Sequence, residues 1–185
     1  MRTIAGRRRQ GVSHPQIRVP HNGSVTSGRW TVSNPEAVVR LRSNRIGLMN
    51  LEATAPIRRG LVTVTDAEVT VNLVLALDRL RTSFLLERAA RSLIAQHKAH
   101  DLSYAGTGSG GPSPWQVQGD AVCVDVVIDL AVTVTPMGPA HDPMSRVDLL
   151  GHAALGRVEL PLPGLGGIDD LRVTLDSVLD LVPQA

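Results

Sequence analysis

Aromatic residues are scarce in this chain. Two tryptophans, one tyrosine and one phenylalanine make up 2% of its 185 residues. Readers of single-stranded nucleic acid stack bases on exposed aromatic side chains, and cages for quaternary cations are built from aromatic faces. The composition therefore argues against both classes, and we predict no nucleic-acid partner. Any cavity would be lined by aliphatic side chains, because Val, Leu and Ala supply most of the apolar residues.

Cysteine and long apolar runs are lacking as well. Cys123 is the single cysteine, which excludes an internal disulfide and a cysteine-based zinc or iron–sulfur site. A chain without disulfides fits a reducing compartment, so we expect a cytoplasmic protein. No run of about 18 apolar residues occurs, and residues 1–29 lack the apolar core of a secretory signal. We therefore expect neither a membrane-spanning helix nor secretion.

Charge is divided unevenly along the chain. Residues 1–29 hold six arginines and no acidic residue, whereas residues 30–185 carry a net charge of −4. Proline and glycine interrupt the first segment, and no apolar period runs through it. We predict a disordered basic arm over 1–29 and one folded domain over 30–185. The arm is either a peripheral contact to an anionic membrane or a solvated leader without a partner.

Motifs for chemistry are missing. The glycines of 106–111 are not followed by the Lys-Ser/Thr pair of a phosphate-binding loop, and the chain has no G-x-S-x-G nucleophile motif. His97 and His100, with Asp101 beside them, suit the end of a helix better than a metal site, since structural metals usually have four ligands. We predict no cofactor, no metal and no enzymatic activity.

Two segments show the period-two pattern of β-strands. In residues 68–78 every second residue is Val or Leu, and the alternate positions are mostly polar. In residues 120–135 the even-numbered residues from 122 to 134 are all aliphatic, which predicts one long, bent strand. Shorter strand patterns cover 31–42, 46–54, 57–65, 101–105, 115–119, 146–155 and 171–181.

One segment instead has helical spacing. Residues 83–97 follow a candidate N-cap, Ser83, and repeat apolar residues with the period of an amphipathic helix. Residues 106–114 suggest a flexible connector, and residues 161–167 a turn. About eight strands with a single helix predict an all-β fold, an antiparallel barrel or sandwich with one amphipathic helix.

Six segments together carry a family resemblance: Trp30–Pro35, Arg42–Gly47, Ile57–Val64, residues 68–82, Glu87–Arg88 and Gln118–Asp120. In this order they resemble the YceI-like family of polyisoprenoid-binding proteins. The resemblance implies an all-β fold, an antiparallel, about eight-stranded extended lipocalin-like barrel with one amphipathic helix, that holds a long isoprenoid lipid or quinone inside it. The chain departs from the family after Arg88, where Ala89, Ala90 and Arg91 replace the Asp and His that follow the family's arginine.

Two functions follow from these expectations. The first is non-catalytic binding or transport of a long apolar ligand, a polyisoprenoid, isoprenoid quinone or similar lipid. The second is a ligand-free barrel with a filled core that acts as a structural or protein-interaction module, and a homodimer remains open in either case. For the first function, the residues expected to line the barrel are Val71, Leu73, Leu75, Phe84, Leu85, Val124, Val126, Ile128, Leu130, Val173 and Leu175.

Overall fold

The structure is a computed structural model that describes residues 25–34, 36–44, 50–162 and 165–184. Within these ranges the side chains of residues 84–86, 89, 93, 158–162 and 165–167 lie outside the description. The described residues form ten strands and one α-helix: β1 Gly28–Val32, β2 Val38–Ser43, β3 Glu52–Val64, β4 Glu68–Ala76, β5 Arg81–Thr82, α1 Phe84–His97, β6 Asp101–Ser109, β7 Trp115–Cys123, β8 Val126–Pro136, β9 Arg146–Leu162 and β10 Leu165–Pro183.

The strands close into an antiparallel barrel. Neighbours follow the order β2, β3, β4, β6, β7, β8, β9 and β10, and β10 returns to pair with β2. Strand β1 continues the path of β2, because it too lies between β10 and β3: Thr31 is opposite both Val182 and Leu61. The predicted fold, an antiparallel barrel of about eight strands with one helix, is confirmed.

Strand β4 shows why the sequence folds this way. Val69, Val71, Leu73 and Leu75 are at most 3% exposed and point into the barrel. The intervening Asn72 faces solvent. Because successive side chains of a strand point to opposite faces, this alternation buries one face and leaves the other outside.

Residues 120–135 are not one bent strand, and that prediction is wrong. Strand β7 ends at Cys123, the chain reverses at Val124 and Asp125, and β8 begins at Val126 opposite Cys123. The two-residue turn changes which positions face inward. On β7 the inward residues have odd numbers, whereas on β8 they have even numbers.

The glycine-rich segment 106–114 is only partly a connector. Gly106 to Ser109 continue β6, and Gly106 lies opposite Gly119 of β7. A Cβ atom at Gly106 would lie 2.3 Å from the hydroxyl oxygen of Tyr104. Position 106 therefore requires glycine, because the ring of Tyr104 occupies the space that a Cβ atom would need.

Several predicted boundaries also move. Strand β1 begins at Gly28, two residues before the predicted start of the domain, and residues 1–24 of the predicted arm lie outside the described residues. The separate strand patterns at 46–54 and 57–65 correspond to one strand, β3, although 45–49 are not described. Strands β9 and β10 extend into the predicted turn at 161–167, of which residues 163 and 164 are not described.

The predicted helix is confirmed as α1. Ser83 occupies the N-cap position, although its side chain makes no capping hydrogen bond. The helix ends at Lys98, which has left-handed backbone angles and whose N–H donates to the carbonyls of Ala95 and Ile94. Helix α1 belongs to an insertion between β4 and β6, so it lies at the end of the barrel where β4 stops and β6 starts.

The opposite end of the barrel is filled by large side chains, and we call it the closed end. Trp115 lies opposite Val134, and Val134 lies opposite Leu149 across the next pair of strands. Each of these three residues is at most 2% exposed. Further buried members of this end are Trp30, Val62, Val64, Met144, Val147, Leu179 and Leu181.

The turn between β7 and β8 leads to a stability prediction. Val124 has a φ of 54°, a value that is strained for a β-branched residue and that favours glycine at the first position of a two-residue hairpin turn. We expect Val124→Gly to raise the free energy of unfolding by about 1 kcal/mol. Chemical denaturation measures this change. Val127→Gly, in the adjoining strand, is the control and should lower the free energy of unfolding. A loss of stability in Val124→Gly would show that the backbone at Val124 is not strained.

Candidate apolar binding site

An apolar cavity of about 180 Å³ occupies the barrel end next to α1, which we call the open end. Its wall is formed by the last residues of β4, the first residues of β6 and β8, and the middle of β9 and β10. Every side chain in the wall is aliphatic, so the cavity offers dispersion contacts and exclusion of water but no charge. The lining residues are Leu41, Leu75, Leu77, Leu102, Ala121, Ile128, Leu130, Ala153, Leu155, Val173 and Leu175.

Two further pockets adjoin this cavity. A pocket of about 160 Å³ shares Leu41 and Val173 with it and extends between β2, β3 and β10. A more open pocket of about 440 Å³, which we call the vestibule, shares Leu77 and lies between the end of α1 and the β7–β8 turn. Through these shared leucine and valine side chains, both pockets border the cavity, and the vestibule lies between it and the surface.

The predicted lining residues fall into four groups. Five of them line the cavity: Leu75, Ile128, Leu130, Val173 and Leu175. Val71 and Leu73 point inward and are buried in the packed core, outside the cavity wall. Val124 and Val126 line the vestibule instead of the interior, because the chain turns there. The side chains of Phe84 and Leu85 lie outside the described residues.

Several lining residues were not predicted. Ala121 faces the cavity from β7, and its inward position becomes apparent only once the turn at residues 124 and 125 is known. Leu102 lies two residues before Tyr104 on β6 and shares its inward face, so the short period-two pattern there could have identified Leu102. Leu41, Leu77, Ala153 and Leu155 complete the set.

The β7–β8 turn carries exposed valines at the edge of the vestibule. Val124, Val126 and Val127 are 51%, 57% and 61% exposed, and Val122 lies directly opposite Val127. Isolated apolar residues are common on protein surfaces, but a cluster of them beside a cavity is typical of a binding entrance. Val124 and Val126 thus present apolar surface to the vestibule, whereas Val122 and Val127 lie beside them on the outer face of the sheet.

Tyr104 separates the cavity from the closed end. It lies opposite Leu73 on one side and Ala121 on the other, and is 3% exposed. Its hydroxyl lies 3.4 Å from the carbonyl oxygens of both Val117 and Leu130, to which it can donate. Burial, followed by the nearby carboxylate of Asp120, raises the pKa of Tyr104 from 10.0 to about 12.

Stability should therefore fall at high pH. In the unfolded chain the tyrosine loses its proton near pH 10, whereas in the folded barrel it keeps the proton until about pH 12. Between these values the unfolded state binds fewer protons, so stability decreases by up to roughly 1.4 kcal/mol per pH unit. Tyr104→Phe should lack this decrease. Chemical denaturation of the wild type and of Tyr104→Phe, below pH 10 and between pH 10 and 12, measures the decrease. An equal decrease in the two proteins would show that Tyr104 is not its source.

Cys123 gives the site a natural reporter group. Its side chain is half-buried in the vestibule wall, and burial raises its pKa. The thiol is therefore mainly protonated at neutral pH and a weak nucleophile. Among the described residues, no group of three or more His, Cys, Asp or Glu side chains is arranged to hold a metal ion.

Comparison of the chain with protein-family models finds no match, and comparison with curated proteins finds none either. The part of the chain that the structure describes contains no helix with the length and apolar character needed to cross a bilayer.

Proposed function

We propose that the barrel binds an aliphatic ligand without catalysis, through the cavity at its open end. The observation that carries the proposal is the wall of that cavity, which consists of leucine, isoleucine, valine and alanine alone. Such a wall contains no acid, base or nucleophile that could take part in a reaction. It stabilises a bound chain by burying apolar surface, at about 25 cal/mol per Å².

The volume of the cavity limits how much of a ligand enters it. A cavity of about 150 Å³ accommodates a molecule the size of benzene, so about 180 Å³ holds roughly six carbon atoms. A long chain would place its terminal part in the cavity and the remainder along the vestibule. The exposed valines beside α1 would then cover the part of the chain that leaves the barrel.

Polyisoprenoids, isoprenoid quinones and similar lipids are the long ligands that we propose. A purely hydrocarbon terminus suits the aliphatic wall of the cavity, and the resemblance to the YceI-like family points to the same chemistry. Membership of that family stays a hypothesis. We expect little discrimination between branched and straight chains, because aliphatic walls distinguish such shapes weakly.

The first experiment is to purify the protein under native conditions, extract it with organic solvent and analyse the extract by mass spectrometry. A stoichiometric polyprenyl or quinone species would support the proposal and identify the ligand. An empty extract, together with no uptake of added farnesol or dodecanol, would overturn it. The alternative function, a ligand-free barrel that binds protein partners, would then be favoured.

Cys123 allows a second test that locates the ligand. Because its thiol lines the vestibule, a chain that leaves the cavity by this path should slow alkylation of Cys123 by iodoacetamide. We expect protection that rises with farnesol concentration and saturates. Binding of farnesol without any protection would contradict the proposed path through the vestibule.

A further inference from the structure

A second groove lies on the outer wall of the barrel and shares no lining residue with the apolar cavity. Its volume is about 760 Å³, within the usual range of small-molecule sites. One wall is the outward face of β2 and β3, and the other is formed by residues 78–81 and helix α1. The lining residues are Glu36, Val38, Arg40, Thr54, Pro56, Asp78, Arg79, Leu80, Arg81 and Arg91.

The groove contains more positive than negative charge. Four arginines face two acidic residues, and one of these, Asp78, is already bound by Arg58 at 3.0 Å. Arg58 also binds Asp101 at 3.3 Å, so it fixes both ends of the insertion that forms this wall. Because the charge of Asp78 is balanced by Arg58, Glu36 is the one lining carboxylate left to balance the charge of the four arginines.

The arginines differ in how far they are already paired. Arg91 is paired with Glu87 one helical turn away, and Arg40 is 4.0 Å from Asp176. Neither Arg79 nor Arg81 makes an ion pair with any of the described residues. The guanidinium groups of Arg79, which ends the 310 turn Leu77–Arg79, and of Arg81, two residues later in β5, are thus available to bind an anion.

The remainder of the domain restricts which anion can bind. Residues 30–185 carry a net charge of −4, so this part of the chain does not attract a long polyanion to its surface outside the groove. A compact anion would meet only the arginines. Val38, Pro56 and Leu80 add apolar surface beside them, which suits an organic group attached to that anion.

We propose that this groove binds a phosphate-bearing ligand, either a free small molecule or the headgroup of a lipid. Arginine binds phosphate through paired, charge-assisted hydrogen bonds. Several arginines together suit the double negative charge of a phosphate group better than the single charge of a carboxylate. The site is independent of the apolar cavity, so it does not rest on the function proposed above.

The test is a titration of the full-length protein with pyrophosphate, followed by the backbone amide signals of residues 78–82 in NMR spectra. We expect saturable shifts that weaken as NaCl is added. Arg79→Glu/Arg81→Glu should reduce the affinity about tenfold or more. The charge-matched control is Arg29→Glu/Arg59→Glu, which changes two exposed arginines outside the groove and should reduce it less than about twofold.

Vesicles distinguish the two sources of phosphate. Sedimentation with phosphatidic acid vesicles, but not with phosphatidylcholine vesicles, assigns the groove to a lipid headgroup if the Arg79/Arg81 variant abolishes it. Pyrophosphate binding without vesicle binding assigns it to a free small molecule. The proposal is overturned if pyrophosphate shifts none of these signals and the Arg79/Arg81 variant sediments with phosphatidic acid vesicles as the wild type does, or if both double variants lose affinity equally. The NMR spectrum of each variant also verifies that it is folded.

Discussion

Trp115→Ala should lower the free energy of unfolding by about 3–5 kcal/mol. Trp115 is 2% exposed and packs at the closed end of the barrel opposite Val134. Truncation removes its apolar contacts and leaves a cavity among neighbours that belong to different strands. Its Nε1–H also donates to the carbonyl of Gly111 at 2.9 Å, and that acceptor would lose its partner. Few single changes in this chain remove as much buried surface.

Denaturation with urea, followed by circular dichroism, measures the loss. Trp30 is the single tryptophan left in the variant, so its fluorescence provides a second probe of the same end. Trp115→Phe keeps an aromatic ring but loses the hydrogen bond, and should cost about 1–2 kcal/mol. Val127→Ala, at a side chain that is 61% exposed, should stay within about 0.5 kcal/mol of the wild type. A loss below about 1 kcal/mol for Trp115→Ala would show that the closed end is not tightly packed.

The barrel itself was predictable because its strands carry a strong period-two pattern. In β4 the odd-numbered residues from Val69 to Leu75 are all aliphatic and buried, and two of the three residues between them are polar, so the sequence specifies both the strand and its inward face. Helix α1 was predictable for the same reason, since its apolar residues change to helical spacing after Ser83. Both are local signals, set by the spacing of apolar residues along one segment, and here the tertiary structure agrees with them.

The β7–β8 turn was not predictable, because the one residue in it that favours turns, Asp125, also fits the polar face of a continuous strand. Val124 and Asp125 continue the alternation of the valines around them, and the turn lacks the glycine or asparagine that usually marks a reversal. One unseen reversal was enough to assign Val124 and Val126 to the interior and to miss Ala121. The outer groove was hidden for a different reason: β5 and the 310 turn bring residues 78–81 beside β2, some forty positions away.

Ala121→Phe should close the cavity and abolish ligand binding while the barrel remains folded. Ala121 is 4% exposed and its side chain points into the space of about 180 Å³. Because a cavity of about 150 Å³ holds a benzene molecule, a phenyl ring nearly fills this one. Exclusion of roughly six carbon atoms at about 0.8 kcal/mol per methylene should weaken binding of farnesol by about 100-fold or more.

The same substitution on the other face of the sheet provides the control. Ala105 is exposed on the outer surface of β6, directly after Tyr104, so Ala105→Phe adds an identical ring without entering the barrel. We expect its affinity for farnesol to equal that of the wild type. Ala121→Phe should unfold within about 1 kcal/mol of the wild type, because the ring occupies existing space. Unchanged binding by a folded Ala121→Phe protein would move the ligand out of the cavity, whereas equal losses in both variants would attribute the effect to the sheet and not to the interior.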